Sequence, residues 1–518
     1  MHSIEDLGLL KFDFLGLKNL SIIEDTLKRI YAIHGKNIDI ERIPLNDQKV
    51  FALFRQANTV GIFQVESDGM RRYLKELKPT EIEDIIAMVA LYRPGPMELI
   101  PEYIARKQGK KTIEYLHEKL KPILKDTQGI CIYQEQLMRI ARDLAGFSLA
   151  EADVLRKAVG KKIESLLLEQ KEKFIQGMIN QGIDKRVAQK IWEWVLPFAR
   201  YGFNRAHSAA YALISYQTAW LKAHYPVEFM STLLTAERND VERMSSLIDQ
   251  TRKMGIDVLP PDLNESFSFF SVVPKKNQIR FGLAAIKNVG EGIAETIIAE
   301  RKAAGPFTSM NDFISRVRSK DLNKKSLESM IKAGVFDQFA ERNRLLSNID
   351  VLLDVSRESQ KTRMMGQRGL FDATPVGNSV SLQLKEAPLA NEQDLLIWEK
   401  ELLGLYVSSH PLKKVQNILK RRALSIALLG QLKRTGQRIR IGGIISSMKK
   451  ILTKSGKPMM FLNLEDLTDK IEVVIFPSIM DRYPGLLREN KIVLVEGRVD
   501  RKMGEPKFIC EGLEEIVL

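Results

Sequence analysis

Apolar residues recur at helical spacing through the first half of the chain and change to short β-branched runs towards its C-terminus. Near the start, Phe12 and Phe14 alternate with Lys11, Asp13 and Leu15, the two-residue period of a strand that closes at Gly16 and Leu17. Leu20, Ile23, Leu27, Ile30 and Tyr31 then line one face, with Ser21 and Glu24 at capping-box spacing and Gly35 as a stop, which predicts a helix. Residues 1–55 thus read as a strand and helix from a larger α/β unit. Residues 56–270 keep the helical period under sharp punctuation. Arg93-Pro94-Gly95-Pro96 is a turn, and Gly160 and Pro226 each end a helix. Ser208 is the expected N-cap of a helix whose stripe includes Ala209, Leu213, Tyr216 and Trp220.

Residues 271–345 form a small unit centred on Gly290-Glu291-Gly292. Residues 346–395 lose periodicity and gain Gln, Gly, Ser, Asn and Pro, which reads as a linker. From residue 431 onward come runs such as Ile439 to Gly443, Met459 to Leu462, Ile471 to Phe476 and Ile492 to Gly497. They predict a small barrel.

A chain of 518 residues exceeds one core and predicts three or four domains. The net charge of +14 points to a polyanionic partner, with nucleic acid as the default. A ribosome-associated protein or one bound to an anionic membrane would carry the same balance. The two cysteines, Cys131 and Cys510, form no CxxC pair, so zinc and a disulfide framework are unsupported. Met1 to Leu7 lacks a basic and apolar leader, and no run approaches the roughly 18 apolar residues of a membrane span. The expected setting is the cytoplasm, with no membrane partner.

Several groups could carry chemistry. Asp13, between two phenylalanines at a strand end, is either a rigid metal ligand or a solvated acid. Arg156, Lys161 and Lys162 close a helix, where cations either complement the macrodipole or clamp phosphates. Asn204, Arg205, His207 and Ser208 stand at a helix N-terminus, whose amides and dipole would attract phosphate. The plain alternative there is capping by Asn204 and Ser208 with His207 at the surface. Phe281 to Arg301 fits a helix-hairpin-helix. Gly290 and Gly292 would open a tight hairpin to a phosphate and Lys287 would add charge, binding backbone without reading bases. Hairpins of this kind also serve as packing turns. Gln367, Leu370 and Phe371 form a peptide-anchor pattern in the linker. On the barrel, Lys454, Lys457, Phe461, Phe476, Arg498 and Lys502 could hold single strands by charge and stacking, although either phenylalanine could instead be core.

Five ordered blocks carry a resemblance across roughly 170 residues. They are Gly61 to Ser67, Ala90 to Met97, Tyr133 to Gln136, Arg156 to Lys162, and Phe203 to Phe229. Together they resemble the fingers of the bacterial C-family replicative DNA polymerases, the family of the DNA polymerase III alpha subunit. The segment Leu396 to Leu412 resembles a further family block. The strand at Asp13 is similar to the one bearing the last of three metal-binding aspartates. The resemblance implies a multidomain, mainly α chain with α+β parts. Residues 1–55 would be the end of a palm, 56–270 helical fingers and 271–345 a helix-hairpin-helix region. Residues 346–430 would be a linker with a clamp-binding motif and a helix, and 431–518 an OB-fold.

The implied reaction is template-directed transfer of a deoxynucleotide to a primer 3′-hydroxyl with release of pyrophosphate, with Asp13 as one bridging ligand of two Mg2+ ions about 4 Å apart. Arg156, Lys161, Lys162, Asn204, Arg205, His207 and Ser208 would bind nucleotide and template, and Gln367, Leu370 and Phe371 the sliding clamp. The implied partners are primer-template DNA, deoxynucleoside triphosphates, the clamp and other polymerase III holoenzyme subunits. The chain departs from the pattern in lacking the PHP domain, the thumb, most of the palm and a second acidic pair. Its start and end fall where the family continues. It is therefore expected to be inactive alone, as half of a split enzyme with a separate N-terminal partner or as a truncated reading. A non-catalytic DNA-binding and clamp-tethering protein and an error-prone paralogue are the alternatives.

Overall fold

The computed structural model describes residues 7–9, 16–161, 164–199, 202–364, 384–404, 406, 411–429, 437–452, 458–500 and 506–516. The chain forms two compact units. The first comprises Met1–Arg238 with two returns, Ser246–Asp257 and Val272–Ile279, and the second Asn239–Ser245, Val258–Ser271 and Arg280–Leu518. The architecture is mainly α with one closed five-stranded barrel.

In the first unit, α1 (Lys18–His34) begins one turn earlier than Ser21 predicts and buries Ile22, Ile23, Thr26 and Ile30. Leu20 and Tyr31, placed by periodicity on its core face, are 50% and 63% exposed. Packing chose the face: Arg29 donates to the hydroxyls of Ser231 and Thr235, and His34 pairs with Glu228 at 2.8 Å. Gly35 ends the helix with a left-handed φ of 67°, as its position predicted.

Helices α2 (Gln48–Arg55), α3 (Asp68–Leu77) and α4 (Ile82–Leu91) follow. They share a core with Ala212, Tyr216 and Ala219 of a later helix, among Phe51, Phe54, Leu74, Ile85 and Met88. A second core lies among α5 (Gln134–Ala145), α6 (Leu149–Lys161), α7 (Glu164–Asn180) and α8 (Lys185–Ala199). There Phe174 meets the rings of Phe147 and Trp192 at 6.1 and 5.3 Å. Gly177 permits the α5–α7 approach, since a Cβ there would lie 2.1 Å from the Ala145 carbonyl. Gly160 does not end α6, which runs through it to Lys161. Helix α9 (Arg205–His224) ends before Pro226, which opens α10 (Pro226–Ala236) at a position where its missing N–H costs nothing.

The second unit contains α11 (Glu291–Ala304), α12 (Lys324–Lys332), α13 (Ile349–Met364) and α14 (Glu392–Leu403). Helix α13 lies within the stretch read as a linker. Its narrow stripe of Ile349, Leu352, Leu353 and Ser356 is buried, which suffices to hold an otherwise polar helix. A buried Arg342–Glu399 pair at 3.1 Å fixes α14, and Arg342 also donates to the Lys332 carbonyl at 3.0 Å.

The barrel strands are β1 (Ile439–Leu452), β2 (Pro458–Glu465), β3 (Lys470–Ile475), β4 (Ile492–Asp500) and β5 (Lys507–Glu515). They close in the order β1-β2-β3-β5-β4, antiparallel except between β3 and β5. Ile441, Leu462, Leu464, Val473, Val495 and Phe508 fill the interior. At a bulge after Glu496, a Cβ on Gly497 would sit 1.9 Å from the Ile509 carbonyl, so only glycine fits. Both cysteines are buried and free. Among the described residues, no helix is long and apolar enough to cross a membrane.

Candidate functional site

The blocks around Tyr133 and Phe203 meet in the first unit as a short parallel bridge. Gln134 N–H donates to the Phe203 carbonyl at 2.9 Å, and Phe203 N–H to the Ile132 carbonyl at 3.1 Å. The buried Gln136 amide latches this turn. Its oxygen accepts from the N–H groups of Ile132 (2.8 Å) and Tyr133 (2.9 Å), and its nitrogen donates to Thr127 Oγ1 at 2.8 Å. Burial pushes the Tyr133 phenol upward from its ordinary pKa. The bridge therefore sets the N-termini of α5 and α9 side by side.

The start of α9 is capped by Asn204, whose Oδ1 accepts from His207 N–H at 2.8 Å. This corrects the assignment of Ser208, which is buried in the first turn and donates its hydroxyl to the Arg205 carbonyl at 3.1 Å. The Glu135 carboxylate accepts from Arg205 N–H at 3.1 and 3.0 Å and from Asn204 Nδ2 at 2.9 Å. An internal anion thus already satisfies the positive end that sequence offered to a phosphate.

What remains outward is side chain. The His207 ring stacks on Tyr211 at 4.3 Å and meets the edge of Phe203 at 5.2 Å, while Phe63 lies against Tyr211 at 5.1 Å. The Arg93 guanidinium covers Phe203 at 4.1 Å, and Arg205 stands 5.9 Å over the Tyr133 ring. Burial lowers the Arg93 pKa from its ordinary value. Arg156 reaches the same place, since its Nη1 lies 3.5 Å from Gln134 Oε1 and Gln134 Nε2 donates to the Gly202 carbonyl at 3.1 Å. Lys157 and Arg156 both pair with Asp153, lowering its pKa. The structure thus gathers Arg156, Asn204, Arg205, His207 and Ser208. The Lys161 side chain and Lys162 lie outside the described residues. Sequence reading passed over Phe63, Arg93, Glu135 and Tyr211 as site residues. The four-residue spacing of His207 and Tyr211 was the available signal.

In the second unit, the turn before α11 takes its left-handed residue at Asn288 (φ 69°) and not at a glycine. Gly290 caps α11 with φ −79° and no side-chain bond, and a Cβ there would meet nothing within 4 Å. Gly292 instead admits Asp321, whose Oδ2 would lie 2.8 Å from a Cβ. Lys287 is exposed, 3.7 Å from the Glu401 carboxylate, and its N–H donates to the Leu402 carbonyl at 3.1 Å.

On the barrel, register places Lys449, Phe461, Val474, Ile509 and Arg498 in one transverse row. Leu462 and Leu464 point inward, so Phe461 faces out, with Lys507 Nζ 5.1 Å above its ring. Phe476 is 42% exposed. Asp13, Gln367, Leu370, Phe371, Lys454, Lys457 and Lys502 lie outside the described residues. Among those described, no group of three or more His, Cys, Asp or Glu could hold a metal, so no Mg2+ ligand set fits there.

Residues 19–182 match the bacterial DNA polymerase III alpha subunit finger domain, residues 255–346 a helix-hairpin-helix motif and residues 439–516 an OB-fold nucleic acid binding domain. The chain is 41% identical to a DNA polymerase III subunit alpha of Thermus aquaticus over 97% of its own length and 41% of the relative's. For the Borreliella burgdorferi subunit the identity is 42% over 100% of this chain and 45% of the relative. For that of Aquifex aeolicus it is 41% over 97% and 42%. The chain thus spans less than half the length of these curated relatives.

Proposed function

We propose that this chain, which belongs over nearly its whole length with the bacterial DNA polymerase III alpha subunits, supplies the nucleotide- and DNA-facing part of a DNA-directed DNA polymerase in replication. The observation that carries this reading is the row of rings from Phe63 through Tyr211 and His207 to Phe203, flanked by Arg93, Arg205 and Arg156. Ring faces can take up a base, and guanidinium groups a triphosphate or template phosphate. Asn204 and Ser208 act here by shaping the start of α9. In the second unit, Lys287 and the amides beyond Gly290 would hold a duplex backbone, and the row through Phe461 single-stranded template.

The finer assignments extend from the same reading. Residues 1–55 would be the end of a palm, with Asp13 as a magnesium ligand, and Gln367, Leu370 and Phe371 would anchor the sliding clamp and so join the chain to other holoenzyme subunits. Its setting would be the cytoplasm. A two-metal site needs more carboxylates than Asp13, so the chain is expected to bind its substrates without extending a primer alone.

Primer extension tests this directly. The chain mixed with a separately made segment bearing the remaining palm carboxylates should extend a primer, and D13N should abolish extension. Tight duplex binding without extension would favour the second reading, a DNA-binding and clamp-tethering protein built on the hairpin and barrel.

A further inference from the structure

The turn between α2 and α3 gathers three residues of positive φ. Ala57, Gly61 and Gln64 take φ values of 55°, 81° and 62°, and two of these three carry side chains in a region that favours glycine. Something outside the turn must hold it. Thr59 Oγ1 donates to the Val65 carbonyl at 2.6 Å, Arg71 Nε to the Ala57 carbonyl at 3.0 Å, and Glu66 accepts from Gly61 N–H at 2.8 Å. The remaining hold comes from α9. Lys222, only 3% exposed, donates from Nζ to the carbonyls of Asn58 at 2.8 Å and Val60 at 2.7 Å.

A buried lysine whose ammonium meets two main-chain carbonyls is an expensive arrangement for packing alone. Its place on the helix gives the reason. His207, Tyr211, Thr218 and Lys222 follow at spacings of four, seven and four, which is one face of α9. The turn lies along that face: Lys222 holds Asn58 and Val60, Thr218 Oγ1 accepts from Phe63 N–H at 3.4 Å, and Phe63 rests on Tyr211. Two carbonyls match the two N–H groups a neutral amine keeps, so the latch holds in either protonation state.

We infer that Lys222 is a positioning residue for the nucleotide surface: its grip on Asn58 and Val60 fixes Phe63 against Tyr211, and Tyr211 in turn sets the His207 ring. The inference rests on the reading of the His207 face as that surface. The turn is thereby part of the nucleotide site although Phe63 is its one ring in the row.

The test compares K222M, K222R and F63A with the parent chain, all bound to primer-template DNA. A fluorescent deoxynucleoside triphosphate reports its own affinity, duplex affinity is measured separately, and the His207 imidazole resonance is followed with labelled histidine. K222M should weaken triphosphate binding about tenfold, leave duplex binding within about twofold and shift the His207 resonance. K222R, which keeps two donors, should recover part of both losses. The K222M/F63A pair should be no weaker than the worse single variant, because both act through one stack. An unmoved His207 resonance in K222M, or additive losses in the pair, overturns the inference. If no protein binds the triphosphate but His207 still moves in K222M, the positioning stands and the nucleotide reading falls.

Discussion

The starts of α9 and α11, the two helix ends to which the proposed function gives a nucleotide and a duplex backbone, are built in opposite ways. At α9 the amides are taken by Asn204 and by the Glu135 carboxylate, an anion brought from the neighbouring helix. At α11 the cap is Gly290, exposed, without a side-chain bond and with open space where a Cβ would stand, and the Asp321 carboxylate lies further in, against Gly292. A filled helix start can recognise only through the side chains around it, here rings and guanidinium groups. An open one can offer main-chain amides, which accept any phosphate and cannot tell one base from another. On the proposed function, the first arrangement would suit selective binding of a nucleotide and the second indifferent binding of a duplex.

The strongest way to break this comparison is R205A. Loss of one charge-assisted phosphate contact, about 1.5–3 kcal/mol, should weaken triphosphate binding about 10- to 100-fold in a fluorescence titration while duplex affinity stays unchanged. Lys222 makes the first unit distinctive in its pH response. Burial, aided by Arg71 and opposed by Glu66, pushes its amine down to about 7 from 10.5. Below about 7 both folded and unfolded chains hold the proton and the cost of burial is fully present. Between 7 and 10.5 the unfolded chain holds the proton that the folded chain has released, so stability rises with pH. The expected gain is on the order of 1–2 kcal/mol for each pH unit inside that window in denaturant melts of the parent, with a flatter profile in K222M.

A smaller effect sharpens the other side. G290A adds a methyl where a phosphate would approach and should lower duplex affinity several-fold, about 1 kcal/mol. Its melting temperature should move little, because the poorer cap is offset by a stiffer unfolded chain. The smallest effect is K287A, which should reduce the slope of log affinity against log salt by about 0.9, the share of one phosphate contact. R205A should leave that slope alone.

The two starts also show what the sequence could and could not reveal. Gly35, Pro226 and four of the five barrel strands were legible because local punctuation decides them. The cap of α9 was not, since Asn204 and Ser208 are both good capping residues one turn apart and only packing selects between them. The role of Glu135 depends on a partner 70 residues away. A lysine near a helix C-terminus reads as solvated, so the burial of Lys222 had no signature. At the hairpin, Asn288 takes the left-handed turn that the glycines advertised. The stripe of α1 was rotated because Arg29 and His34 found partners on α10 that periodicity cannot see.

The most direct measurement is titration of the primer-template complex of this chain with a fluorescent deoxynucleoside triphosphate, in the parent and in H207A. Saturable uptake by the parent, weakened about tenfold or more in H207A with duplex affinity intact, is the predicted result. Equal uptake by both proteins would contradict the assignment of the ring row as the nucleotide surface, as would the absence of saturable uptake in the parent.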